Sequence, residues 1–389
     1  MDECHSSIKL KSLSMDISYL AVVIVVESAD PGLILSTILA LSLPYINTQE
    51  IPMSRFAPFL LSVVLGVPIA VHAGDPGVLR TFKVGGEGRW DYVNLDPVAG
   101  RIYVPRSTHV MVLDLDGNVK GDIPGTAGVH GVALSPELDR GWTSNGQADS
   151  VTVFKLSTLE VVKVIKVTGK NPDAILFDPA TKRVFTFNGG GKNATVIDAA
   201  TSEVVGTIPM GGKPEFSACD GQGRVFVNNE DTSEILAIDA KAMKVVATWS
   251  IKPVEEPSGL ALDVKNNFLF SVGGNHLAAV VDAVTGKVLA MVPIGSGTDG
   301  IAFDPGTECA YASNGEGTIT VIRRNAKGDF ETSTVPTKPG ARTIVDNPIN
   351  HRLYLPTAEF LPIPKDAKAG TRPTMVGGSF QVIEVGEAH

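Results

Sequence analysis

Short apolar runs alternate with clusters of Asp, Asn, Gly and Pro along most of this chain. The stretch from Asn171 to Met210 shows the unit. Ala174–Phe177 ends at Asp178-Pro179, and Arg183–Phe187 ends in Asn188-Gly189-Gly190. Ala194–Ile197 ends at Asp198, and Glu203–Ile208 leads out through Pro209. The runs are rich in Val, Ile, Thr and Phe, which suit a pleated, half-buried surface, and the breaks hold residues that favour turns. Each unit therefore predicts four short strands.

The end of the first strand sets a register. The marks are Asp96, Ser135, Asp178, Asp220, Asp263, Asp304 and Asp346, spaced 39, 43, 42, 43, 41 and 42 residues apart. Four strands in a period near 42 predict a β-propeller. Helical repeats would space apolar residues by about 3.6, and no unit does so. An aromatic recurs in every second strand, as Tyr103, Trp142, Phe185, Phe226, Phe270, Tyr311 and Tyr354. These rings are expected to fill the space between blades. The seventh unit runs out after three strands, at Phe380–Val385. Val78–Val84 (VLRTFKV) reads like the outer strands VVKVIKV and VVGTIPM and has no unit of its own. It is expected to pair with Phe380–Val385 and close the ring, which removes two open sheet edges. The fold class expected is all-β: a seven-bladed propeller, four antiparallel strands per blade, over residues 74–389.

Units such as NPDAILFDPATKRVFTFN and GTDGIAFDPGTECAYASN resemble the YVTN-type repeats of YncE-like seven-bladed β-propellers. The resemblance spans about residues 78–385. The literal YVTN string is absent, and Tyr103-Val-Pro, Phe226-Val-Asn-Asn, Phe185-Thr-Phe-Asn and Tyr311-Ala-Ser-Asn stand in its place. The resemblance implies an exported bacterial protein. It also implies kinship with propellers in enzymes whose redox cofactor sits on a separate domain or subunit.

The first 73 residues stand outside the repeat. Met53-Ser54-Arg55 precedes FAPFLLSVVLGVPIAVHA, with small residues at Val71 and Ala73. That order of basic, apolar and small residues reads as a secretory signal peptide cleaved after Ala73, giving a periplasmic or secreted product. Residues 1–52 then read as a non-native upstream extension. The competing reading makes membrane segments of Tyr19–Val26 and Leu33–Ile46, each shorter than the ~20 residues a span needs. No stable membrane span is expected in the mature chain. Cleavage removes three basic and six acidic residues and moves the net charge from −9 to −6. An acidic balance argues against nucleic acid as a partner. Cleavage also leaves Cys219 and Cys309, in non-adjacent units. They are expected as two buried thiols rather than a disulfide.

Candidate chemistry follows from the register. Five residues before each mark lie Asp91, His130, Asp173, Glu215, Ser258, Asp299 and Ala341, expected to ring the channel mouth. Ten residues after lie Arg106, Asn145, Asn188, Glu230, Gly273, Asn314 and Pro356, expected just outside it. Crowded carboxylates raise one another's pKa unless a cation intervenes. Asp91, Asp173, Glu215 and Asp299 suit Ca²⁺ or Mg²⁺, and His130 would tolerate a transition metal. The alternative is that they are solvated and cap strand starts. Gly88-Arg89-Trp90-Asp91-Tyr92 brings a cation and two aromatics to the same face, where Arg89, Arg106 and Arg342 could hold an anion. The connection from Thr357 to Gly378 departs from the period and reads as a lid or as a surface insertion.

Other motifs carry no chemistry. Gly189-Gly-Gly-Lys192 lacks the Ser or Thr of a P-loop. His109, His276 and His351 fall at scattered registers. The expected function is a monomeric binding or scaffold protein that holds a small ligand, divalent cation or protein partner at the mouth. The alternative is a metal-dependent, lactonase-like hydrolase or lyase with His130 shuttling a proton. A third reading, single-stranded DNA binding, would stack bases on Trp90 and Tyr92.

Overall fold

The Asp residues that mark the register are turn formers. Asp96 accepts hydrogen bonds from the Val98 and Ala99 N–H groups, Asp178 from Thr181, Asp263 from Asn266 and Asp304 from Gly306. A short carboxylate folded back on the next backbone amides closes a tight turn, so these four marks each end one strand and start its antiparallel neighbour. In the computed structural model, which describes residues 19–24, 39–44, 76–364 and 371–387, this pattern builds seven sheets of four antiparallel strands.

The sheets follow one another in chain order. Their innermost strands are Asn94–Asp96, Val129–Ser135, Pro172–Asp178, Pro214–Cys219, Leu260–Asp263, Thr298–Asp304 and Val345–Asn347. Each innermost strand neighbours the next, and the last neighbours the first, so the sheets form a ring. The expected propeller is found. Gly77–Lys83 completes the seventh blade by pairing antiparallel with Gln381–Gly386, one residue along from the expected bounds, with a bulge between Val78 and Arg80.

Packing between blades is carried by the repeated aromatics, all buried. Trp142 of the second blade stacks on Phe177 of the third at 5.6 Å, and Phe270 of the fifth on Phe303 of the sixth at 5.7 Å. Full burial of such a ring contributes roughly 1.5–3 kcal/mol. On the face opposite the mouth, arginines opening the second strands reach the next blade. Arg183 donates to the carbonyls of Ala240 and Lys241, and Arg224 to that of Ala283. Cys219 and Cys309 are free thiols, as expected, but only partly buried. Burial pushes the Cys219 thiol up to about 11.

Outside the propeller, Tyr19–Ile24 pairs antiparallel with Leu39–Pro44. The expected signal peptide, residues 53–73, lies outside the described residues, as does most of the expected 1–52 extension. No helix among the described residues is long and apolar enough to cross a membrane.

Candidate functional site

The entrance of the innermost strand is irregular in four blades. Two residues oppose one between Val129 and Val132, between Pro172 and Ile175, and between Pro214 and Ser217, and Asp299 is the extra residue between Thr298 and Gly300. These bulges hold His130, Asp173, Glu215 and Asp299. A bulge leaves its extra residue outside the ladder and re-aims the side chain. Here the side chains turn into the channel mouth.

Neighbouring blades fix these backbones. The Ser144 hydroxyl donates to the Asp173 carbonyl and accepts from the Gly131 amide at 3.0 Å. Thr343 does the same for Asp91, donating to its carbonyl at 3.0 Å and accepting from the Val93 amide at 3.1 Å. Gly146 leaves room for the imidazole, because a Cβ there would lie 2.7 Å from His130 Nε2 and 2.6 Å from Asn171 Oδ1.

The result is a cavity of about 790 Å³. Asp91, His130, Asp173, Glu215 and Asp299, each five residues before a mark, line it together with Arg89, Trp90 and Arg342. The fifth blade offers no charge, since Ser258 donates to the Thr298 carbonyl at 3.4 Å, and in the seventh Ala341 is buried.

The charges are unevenly matched. His130 Nδ1 lies 2.7 Å from Asp91 Oδ2 and 3.6 Å from Asp173 Oδ1. Arg342 pairs with Asp299 at 2.6 Å. Lys213, which the register did not flag, donates to Glu230 and stands 3.4 Å from Glu215 Oε2. Glu230 thus reaches the site through Lys213. Burial, with the charges of Asp91 and Asp299, pushes Asp173 up to about 7 against the pull of His130 and Lys213. Burial and the Asp173 charge likewise push Glu215 up to about 7. Burial alone would lower His130, but its bond to Asp91 and the charges of Asp173 and Glu215 raise it to about 9. It is therefore protonated at neutral pH. One ligand atom from each of Asp91, His130 and Asp173 lies within 4.8 Å of the other two, close enough to ligate one ion.

Four register positions fall elsewhere. Asn145, Asn188 and Asn314 end their second strands and are buried. Their amides donate to third-strand hydroxyls, at Thr152, Thr195 and Thr320. The repeat of Thr two residues into each of those third strands was the available signal. Arg106 is fully buried over the Phe380 ring and donates to the carbonyls of Gly85, Gly86 and Gly88. It braces the loop that carries Arg89, Trp90 and Asp91 instead of facing the mouth.

The two aromatics are also committed. Trp90 donates to the Arg342 carbonyl and packs against Phe360 and Phe380. Tyr92 is buried against Phe216. The long connection of the seventh blade does reach the site, through Phe360, Arg372, Pro373 and Met375. Its residues 365–370 are outside the described set. His109, His276 and His351 each meet a local partner, Asp122, the Gly295 carbonyl and Asp304.

No protein-family model matches the chain, and no curated protein matches it. Solved structures do. Kuenenia stuttgartiensis hydrazine synthase is 19% identical over 68% of this chain and 91% of that one, with a TM-score of 0.58. U3-55K is 10% identical over 80% and 98%, with a TM-score of 0.64. The WD40 repeats of RRP9 are 9% identical over 80% and 97%, with a TM-score of 0.65. Likeness at such identities speaks for architecture alone. On that architecture and the seven closed sheets, residues 76–387 are a seven-bladed β-propeller.

Proposed function

We propose that this chain is an exported YncE-like propeller that works as a binding protein, holding a small cation at the mouth of its central channel. One observation carries the reading. Asp173 is nine-tenths buried in the cavity, and among the described residues no donor reaches its carboxylate within hydrogen-bond distance. Its nearest cationic atom, His130 Nδ1, is already given to Asp91. A buried carboxylate without a donor is costly, and a bound cation would offset that cost. Oxygen donors suit Ca²⁺ or Mg²⁺, and His130 would admit a transition metal. A protein partner could present the cation as a Lys or Arg side chain. Export rests on the sequence before residue 74.

The hydrolase or lyase reading draws on the grouping of Asp91, His130 and Asp173. A divalent ion there would polarise a carbonyl, once it displaced the proton that His130 shares with Asp91. Base stacking finds less support, because the Tyr92 ring is covered by Phe216. The test is a thermal-shift panel of Ca²⁺, Mg²⁺, Zn²⁺ and small organic cations on the purified chain, with Asp173→Asn and Asp299→Asn alongside. Stabilisation that vanishes in Asp173→Asn is expected. A melting temperature indifferent to every cation overturns the reading.

A further inference from the structure

We infer that the ligand is an organic amine, its ammonium head seated between Asp173 and Glu215 and its apolar body lying along Trp90, Phe360 and Met375. This rests on the cation-binding reading of the same cavity and narrows it to one chemical class.

Two of the four carboxylates already have counterions. Asp91 holds His130 and Asp299 holds Arg342. Asp173 and Glu215 remain. Glu215 Oε1 accepts the Tyr92 hydroxyl, while Glu215 Oε2 is buried and accepts no hydrogen bond. Lys213, 3.4 Å from that oxygen, is spent on Glu230. Adjacent blades thus present two carboxylates with acceptor capacity to spare. An ammonium group brings three donors and one charge, which matches that demand.

A metal fits less well. Ca²⁺ takes six to eight oxygens, and one oxygen each of Asp91 and Asp299 is already engaged. A transition metal on His130 Nδ1 would have to break its 2.7 Å contact with Asp91 Oδ2. An ammonium ion leaves that pair in place.

The rest of the cavity is made for more than an ion. A space of about 790 Å³ falls in the range of small-molecule sites. One wall is apolar. Trp90 and Phe360 pack with ring centroids 6.1 Å apart, and Met375 pairs with Phe360 across a β-bridge beside Pro373. Met adapts its shape to aromatic and aliphatic guests alike. An acidic pair on one side and an apolar wall on the other select a guest with one cationic end.

The experiment is calorimetric titration of the full chain near neutral pH with 2-phenylethylamine, 2-phenylethanol, methylamine, Ca²⁺ and Zn²⁺. We expect 2-phenylethylamine to bind at least about tenfold tighter than the alcohol or methylamine. Asp173→Asn and Glu215→Gln keep the shape of each side chain, and the amide oxygen introduced by Glu215→Gln could still accept from Tyr92. Each should weaken 2-phenylethylamine by about tenfold or more. Met375→Ala should weaken 2-phenylethylamine and leave methylamine unchanged. If metals bind and amines do not, the amine assignment is wrong while cation binding stands. If the alcohol binds as tightly as the amine, the ammonium seat is wrong. If nothing binds, both readings fall.

Discussion

The Tyr92 hydroxyl donates a 2.7 Å hydrogen bond to Glu215 Oε1. Tyr92 belongs to the first blade and Glu215 to the fourth, which in a ring of seven stand on opposite sides of the axis. The Tyr92 ring lies 4.7 Å from Phe216. One side chain therefore crosses the channel and floors the mouth. A second cavity lined by Asn94, Ile175, Phe216 and Ser217 lies along the same inner strands.

Tyr92→Phe should keep the ring and lose the bond. Glu215 would then hold a buried oxygen with no donor, at a cost of about 1–3 kcal/mol. Its pKa should rise further, because the Tyr92 bond is one of the interactions that lowers it. The urea midpoint and a pH titration of the variant measure both. An unchanged midpoint would show that the bond contributes nothing.

The mouth should make stability depend on pH in one direction. Asp173 and Glu215 sit at about 7 in the folded chain, against roughly 4 for free carboxyls. The folded state holds their protons more tightly, so their contribution is full below pH 4 and is lost as pH rises through 7. His130 sits at about 9, so its contribution is full below about 6.5 and is lost towards pH 9. The facing Lys213, which Glu230 and Glu215 hold above its ordinary value against the pull of burial, remains charged throughout this window. Melting temperature should fall from pH 5 to pH 9, and Asp173→Asn should flatten the slope between 5 and 8. Cation affinity should rise over the same interval as the two carboxyls ionise. A melting temperature that climbs with pH would refute the assignment.

The parts of this molecule that repeat were readable and the parts that do not were less so. Asp96, Asp178, Asp263 and Asp304 form turns through their own side chains, so one residue type betrays a backbone event. The constant step of five residues from each mark led to His130, Asp173, Glu215 and Asp299 because the bulges recur at one register, and the same step reached Asp91 in the first blade. The step of ten failed for Asn145, Asn188 and Asn314. An Asn at a strand end can face solvent or turn to a hydroxyl across the ladder, and only the paired Thr decides. Phe360 and Met375 come from the aperiodic connection, where no register existed to place them. Tyr92 was visible as an aromatic, but its reach across the ring depends on the radial arrangement.

Arg106 should act on the site at one remove. Burial lowers its pKa to about 10, yet it stays charged and spends its donors on three carbonyls of one loop. Gly88 permits this, since its φ is +92° and a Cβ there would collide with the Arg106 carbonyl. Arg106→Met would leave those carbonyls without donors, and should cost about 3 kcal/mol. It should also speed amide hydrogen exchange at residues 85–91 and weaken ligand binding there, while leaving the fourth and fifth blades protected. Unchanged exchange in that loop would mean that the arginine is not what holds it.

Ring closure offers the sharpest test of the architecture. Arg80, on the N-terminal strand, pairs with Glu384 on the strand beside it and with Asp116 of the first blade at 2.9 Å. Glu384 is buried, and its remaining contact is the Tyr354 hydroxyl at 3.4 Å. Removing one partner of such a pair leaves an uncompensated buried charge, whereas removing both does not. Arg80 is half exposed, so water would meet part of the loss. Arg80→Met should therefore cost about 2 kcal/mol, and Arg80→Met with Glu384→Met should cost less than the single change. The single variant should also release residues 77–83 first, which limited proteolysis followed by mass spectrometry would detect. If the double variant is the less stable of the two, the pair is a net contributor to the closed ring and the buried charge is not the source of the loss.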